Sequence, residues 1–404
     1  MSIEIRACTS LEEARQALNA ISHYFASENT MEDMERFSQW LKVERMHAAW
    51  EGDRIVGGAG VFDFEMSLPG GASISSSGVT VVGVYPTHRR RGVLTDLMRT
   101  QLADCRERGE LAAWLWASEA MIYPRFGYGL ASRLASITLA RERTAFAQPF
   151  EPRGSFRLVE LEEAAKHFPP LYDQARKERP GMFSRSRAWW ETRRLFDDPA
   201  QRRNRGPLNR VLLELDGKPA GYALYQVQQD WARGSSKGTV SIREAVAPRP
   251  EATRELWRWL LDFDWTSQFV ADVPLDHPLF LLLAEPRRMG GTINDGVWVR
   301  LLDIEQALSA RSYNGDGEVV LEVADAFIPE LAGRYRVTAG GTGRTEADPD
   351  ISLDVTGLGS VYLGEFTFAD LVRSSRAREL TKDAVARADA LFATDTKPWC
   401  VEIF

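Results

Sequence analysis

One plan occurs twice along this chain, and it constrains the fold more than any other feature. In "GVTVVGVYPTHRRRGVLTDLM" a β-branched run ends at Pro86, and Val93, Leu94, Leu97, Met98 and Leu102 then recur at helical spacing up to Gly109. In "GTVSIREAVAPRPEATRELWRWL" a second run ends at Pro248 and again gives way to a helix. Proline fixes φ and has no amide to donate, so it ends a ladder yet suits a helix start. Apolar residues three and four apart mark one face of that helix. Before the first proline come "IEIRA", the helix "LEEARQALNAIS" behind its cap Ser10, and the hairpin "MHAAWEGDRIVGGAGVFDFEMSL". Before the second come "FRLVEL", "EEAAKHFPPLYDQARKE" and "VLLELDGKPAGYALYQVQ". An apolar strand follows each helix, "LAAWLWAS" and "QFVADVP". Ser118 is placed to cap a helix over "EAMIYPRF", and "LASRLASITLA" reads as the strand closing the first unit.

The pattern predicts an α/β fold with two tandem mixed-sheet units, residues 1–145 and 146–298, joined by "AFAQPFEPRG". The second is a degenerate copy, because it keeps the strand, proline and helix but loses the arginine run and its glycine. From 299 to 404 short alternating strands with Gly-rich turns and two amphipathic helices mark a third, α+β unit. A length of 404 residues agrees with several domains.

Charge and cysteine usage exclude several classes. The formal net charge is −7, with 57 acidic and 50 basic residues, so the chain lacks the cation surplus of a general nucleic-acid binder. Cys8, Cys105 and Cys400 are scattered and form no CxxC, which argues against a disulfide framework or a zinc site and for a reducing cytoplasm. No metal site is expected. The first residues lack the apolar core of a secretory signal, and the apolar stretch "LFLLLA" is too short to span a bilayer. Trp399 and Phe404 keep the end of the sequence apolar, which predicts that it is docked.

The chemistry concentrates in "HRRRG". A helix N-terminus presents unpaired amides and a partial positive charge. Gly92 lets a ligand approach that backbone, and Arg89, Arg90 and Arg91 add forked donors. By residue type the run is either a pyrophosphate cradle or a solvated basic turn, and the strand–proline–helix setting favours the cradle. Tyr123 and Tyr128 are, by type alone, packing aromatics or proton donors.

The strand followed by Arg89-x-x-Gly92 and a helix resembles the acetyl-CoA pyrophosphate loop of the GNAT acetyltransferases, although Leu94 stands where a Gly or Ala is usual. A narrower resemblance is to the Eis (enhanced intracellular survival) family of N-acetyltransferases. It rests on "VYPTHRRRGVLT", "ASEAMIYPRFGYG", "GYALYQV", "VYLGEFT" and the final Phe. That resemblance implies two GNAT-like domains, the second degenerate, and a C-terminal domain like a sterol carrier protein. It implies a hexameric homo-oligomer and acetylation of small-molecule amines, with aminoglycosides, modified at one or more positions, as the implied acceptors and polyamines or protein lysines as alternative physiological ones.

The resemblance also implies roles. Val82, Gly83 and Val84 would line the pantetheine arm of acetyl-CoA, with the Val84 amide aimed at the thioester oxygen. Arg89, Arg90, Arg91, Gly92, Val93, Leu94 and Thr95 would hold the pyrophosphate, and Ser118 and Glu119 would flank the cofactor. Tyr123 would be the general acid, although Pro124 replaces a glycine seen in many members. Phe404 would supply the base through its terminal carboxylate. Glu402 would line the cleft, but Ile403 separates it from Phe404, where members of the family have Glu directly before Phe. Tyr24, Phe25, Glu28 and Trp40, with Asp33 and Glu65, are candidates for the acceptor pocket. The competing readings are a non-enzymatic lipid or acyl-chain carrier and a CoA-sensing regulator; both predict no thiol release from acetyl-CoA.

Overall fold

The hydroxyl of Ser10 accepts the Glu13 amide and starts helix α1 (Leu11–Ser22), satisfying one of the donors that a helix N-terminus leaves free. The computed structural model describes residues 3–404. The chain forms two compact units, one of residues 1–132 with 296–404 and the other of residues 133–295.

The first unit opens with β1 (Ile3–Ala7), α1, α2 (Met31–Phe37), β2 (Met46–Glu51), β3 (Arg54–Ser67) and β4 (Ser73–Val84). Helix α3 (Val93–Glu107), β5 (Ala112–Trp116) and the short β6 (Gly129–Leu130) follow. The β2–β3 hairpin closes at Glu51↔Arg54 across Gly52, whose φ of 63° suits glycine. Strands β4 and β5 are parallel, as a helical crossover requires.

The second unit holds β7 (Arg133–Ala140), β8 (Gly154–Leu158), α4 (Leu161–Arg176), α5 (Arg187–Trp189), β9 (Asn209–Leu215) and β10 (Lys218–Gln228). It continues with the ribbon β11 (Trp231–Ala232) and β12 (Ser235–Ser236), then β13 (Thr239–Val246), α6 (Pro250–Leu260), β14 (Gln268–Pro274), α7 (Leu279–Leu282) and β15 (Thr292–Asp295). Its sheet runs β15-β7-β14-β13-β10-β9-β8. Trp189 and Trp190 are buried in it, as packing residues.

The chain then returns to the first unit with β16 (Val297–Leu301), and that sheet runs β1-β2-β3-β4-β5-β16-β6. Two expectations are corrected here. The strand at 133–140 does not close the first sheet; it pairs with β14 and β15 in the second. Strand β16, read from sequence as the border of the second and third segments, instead covers the edge of β5. Short apolar runs fit any buried edge, so pattern alone does not say which one. The amide of Val297 settles it by donating to Ser132 Oγ at 2.9 Å. The helix expected after Ser118 is also absent. Pro124–Phe126 makes one 3-10 turn and stops at Gly127, φ 87°. A Cβ at Gly127 would lie 1.4 Å from the Arg300 guanidinium, so glycine is required there twice over.

The remainder of this unit is α8 (Ile304–Ala310), β17 (Glu318–Ala324), β18 (Gly333–Thr338), β19 (Gly341–Arg344) and β20 (Ile351–Asp354). Helices α9 (Val355–Tyr362), α10 (Phe368–Arg373), strand β21 (Ala377–Glu379) and α11 (Ala384–Phe392) complete it. Its sheet is β19-β18-β17-β20-β21. Every residue of α9 is buried, and a Cβ at Gly359 would fall 2.4 Å from the Val299 carbonyl, so this helix packs directly on β16. The buried pair Arg300–Asp325, 2.6 Å, ties β16 to the residues that follow β17.

Candidate active site

The site begins where two parallel strands part. Strands β4 and β5 pair only from Ser76↔Ala112 to Gly78↔Trp114, leaving the rest of β4 with a free edge. The register of β4 against β3 shifts between Gly58 and Gly60, and Val81 takes φ 49°. A β-branched residue in that region costs on the order of 1–3 kcal/mol, and such strain gathers at functional sites. The Tyr85 amide donates to the Val56 carbonyl at 2.9 Å. By strand alternation the amides of Val84 and Val82 therefore face the opposite, open edge. Tyr24 closes one end of it by donating its hydroxyl to the Val84 carbonyl at 2.8 Å.

The loop from β4 into α3 divides its arginines. Arg91 bonds Glu51 at 2.6 Å, and His88 Nε2 lies 3.0 Å from the same carboxylate. These two hydrogen bonds hold the Glu51 carboxyl down at about 2. Arg91 thus pins the loop to the β2–β3 turn. Arg89 and Arg90 are exposed and form no ion pair among the described residues. Arg90 has φ 60° and Gly92, the N-cap of α3, has φ 84° with no side-chain cap. The amides of Val93, Leu94 and Thr95 are left for a ligand. A Cβ at Gly92 would meet only Asp96 Oδ2, at 3.9 Å, so the approach is open. Two uncommitted guanidinium groups, three amides and a helix dipole fit a pyrophosphate.

Ser118 and Glu119 are exposed just beyond β5, and Tyr123 is buried after them. Burial pushes the Tyr123 phenol up to about 12. Its ring meets Tyr128 edge-on, centroids 6.0 Å apart. Tyr128 is fully buried, and its hydroxyl has no hydrogen-bond partner among the described residues.

Phe404 occupies the fork itself. Its ring lies edge-on to Trp114 at 5.5 Å and Phe62 at 5.6 Å, and tilted against Phe64 at 5.7 Å. Gly78 makes the room: a Cβ there would stand 2.6 Å from the Phe64 ring and 3.3 Å from that of Phe404. Glu402 is buried while Ile403 is 63% exposed. The last residues therefore alternate as an extended segment does, and the intervening Ile403 turns outward without displacing its neighbours.

The acceptor candidates separate. Trp40 packs on Phe37 at 4.1 Å and Phe62 at 5.6 Å, so it continues the aromatic wall beside Phe404. Phe25 and Glu28 are exposed on the segment that follows α1. Asp33 is spent on the capping box of α2, bonding Thr30 and Arg36. Glu65 lies on the opposite face of β3 from Phe62 and Phe64, by strand alternation.

Sequence reasoning missed two parts of the site. The cage of Phe62, Phe64 and Trp114 was legible only as the alternation "VFDFE" and as the apolar run "LAAWLWAS". Arg45, 1% exposed, gathers Asp63 at 2.8 Å, Asp104 at 2.7 Å and Glu110 at 2.6 Å, and Ser77 donates to Glu110. This network braces β4 one residue before the fork. Nothing in the local sequence marks Arg45, because its partners come from three separate elements.

Residues 4–131 and 181–301 each match a family described as "Acetyltransferase (GNAT) domain", and residues 304–401 match "Sterol carrier protein domain". An uncharacterized N-acetyltransferase of Streptomyces avermitilis is 38% identical, over 91% of each chain. N-acetyltransferase Eis of Mycobacterium tuberculosis is 32% identical, over 86% of this chain and 85% of its own. The crystal structure of Eis1 from Mycobacterium abscessus matches with a TM-score of 0.87 at 35% identity, covering 99% of this chain and all of that one. A GCN5-related N-acetyltransferase from Anabaena variabilis shares the fold, with a TM-score of 0.84 at 22% identity.

Proposed function

The chain belongs to the Eis family of GNAT N-acetyltransferases, and from that premise we propose that it acetylates amines by direct transfer from acetyl-CoA, with Tyr123 as general acid and the Phe404 carboxylate as base. Acetyl-CoA supplies the acetyl thioester. Arg89, Arg90 and the amides of Val93, Leu94 and Thr95 bind its pyrophosphate, with Arg91 holding the loop in place. The edge of β4 from Val82 through Gly83 to Val84 lines the pantetheine arm, Ser118 and Glu119 flank it, and the Val84 amide stabilises the oxyanion.

An alkylammonium has no lone pair, so a base must take its proton before attack. The Phe404 carboxylate takes it, and an apolar setting raises a carboxylate's basicity. Tyr123 then protonates the leaving thiolate. A phenol at about 12 keeps its proton throughout the neutral range, as a donor must until the thiolate forms. The observation that carries the reading is Phe404, docked among Phe62, Phe64 and Trp114 where β4 and β5 part. Aminoglycosides are the proposed acceptors, at one or more amines, with Tyr24, Phe25, Glu28, Trp40 and Glu402 around them. The proposed assembly is a homo-oligomer. Thiol release from acetyl-CoA across aminoglycosides, polyamines and lysine peptides, with product masses, tests this. Added acetyl groups on an aminoglycoside are expected; release with polyamines or peptides alone would overturn the acceptor class, and silence throughout would overturn the mechanism.

A further inference from the structure

The second unit keeps the fork without the loop. Strands β13 and β14 pair in parallel from Thr239↔Gln268 to Ile242↔Ala271 and then separate. Beside that point β13 bulges against β10, between Leu224 and Tyr225, and the extra residue is Arg243. It stands five residues before Pro248, as the strained Val81 stands five before Pro86. The donor-binding features are gone, since Pro248 and Pro250 replace the arginine run and its glycine.

What has accumulated there instead is positive charge. Glu244 is buried and committed: it bonds Arg185 at 2.7 Å, and also Arg194 and Tyr222. Arg185 is further enclosed by the rings of Tyr172 and Trp190, 3.7 and 4.4 Å from their centroids. Arg194 reaches on to donate to the Arg243 carbonyl at 3.1 Å. Arg243 itself lies on the exposed side of β13 and has no ion pair among the described residues. The same holds for Arg203 and Arg205. Their turn, with φ 49° at Arg203 and 68° at Asn204, is fixed to β10 by the Gly206 amide, which donates to the Val227 carbonyl at 2.8 Å. Loss of water around its guanidinium, then repulsion from Arg194, Arg205 and Arg203, draws Arg243 below the usual arginine range. Asp272 on β14 is the acid that faces it, and it already accepts from Ser136 at 2.5 Å.

In a chain of net charge −7, uncompensated cations gathered at one place cost free energy until an anion joins them. We propose that Arg203, Arg205 and Arg243, at the β13–β14 fork beside the Glu244-paired Arg194, form a binding site for a small molecule bearing two or more phosphate charges, independent of the acetyl-donor site. Forked guanidinium donors match phosphate oxygens in geometry, and several of them exceed what a single carboxylate neutralises.

The test is calorimetric titration with inorganic pyrophosphate at low salt. The background carries Arg89→Ala and Arg90→Ala, so that the proposed donor loop does not compete. Binding of pyrophosphate is expected in that background. Adding Arg203→Ala and Arg205→Ala should weaken it about tenfold or more, and Arg243→Gln, which keeps much of the side chain's volume, should weaken it too. Arg203 and Arg205 hold no ion pair among the described residues, so their loss should leave the melting curve unchanged. A nucleoside diphosphate is titrated in parallel: tighter binding than pyrophosphate identifies a nucleotide, and equal binding identifies the phosphates alone. No binding in the donor-loop background, or binding that these substitutions leave intact, overturns the proposal. Failure of the donor-loop reading would not, because the two sites share no residue.

Discussion

The Phe404 ring is the anchor on which the proposed base depends, so Phe404→Ala isolates its contribution while keeping a terminal carboxylate. The ring loses contacts with Phe62, Phe64 and Trp114, all with centroids within 5.5–5.7 Å. Aromatic pairs of this kind contribute about 0.5–1.5 kcal/mol each beyond burial. Because Phe404 is only half-buried, the low end applies, and the anchor is worth about 1.5 kcal/mol altogether. Undocking the last residues by that amount should lower kcat/KM about tenfold. The assay is thiol release from acetyl-CoA with a saturable amine, alongside a melting curve. Since only the end of the chain is released, the melting temperature should hardly move while activity falls. Appending two residues after Phe404 makes the complementary change: the ring stays and the carboxylate is displaced, and transfer should fall with acetyl-CoA affinity unchanged. Wild-type kcat/KM in both proteins would refute the anchored-base argument.

Tyr123→Phe should slow transfer while leaving CoA affinity nearly unchanged, as read by single-turnover rates and equilibrium binding. The burial that raises this phenol to about 12 also predicts a stability trend. Its stabilising share is complete below about 10, the value for an unfolded chain, and is lost as pH rises through about 12; urea midpoints of wild type and Tyr123→Phe should therefore diverge only in that alkaline window. Gly78→Ala places a methyl 2.6 Å from the Phe64 ring and 3.3 Å from Phe404, so activity should fall by more than stability does, measured on one preparation. Arg89→Ala with Arg90→Ala should weaken CoA binding and flatten its salt dependence. Arg91→Ala, which frees the loop from Glu51, should show a smaller salt effect.

Local chemistry alone made much of this protein legible. The two proline-ended strands with their helices, the Ser10 cap and the hairpin at Gly52 depend on φ limits, missing donors and apolar spacing, which act over a few residues. So does the open helix start at Gly92. The family's motifs were readable for the same reason, being contiguous. Tertiary structure decided what depends on partners far apart in the chain. It chose the edge of β5 for β16 and the second sheet for β7, because both strands are short apolar runs with no edge preference of their own. It spent Arg91 on Glu51 and Asp33 on a cap, and it buried Arg45 among three acids. It also brought Phe404 to Gly78, where a missing side chain on one strand leaves the space that the last ring of the chain fills.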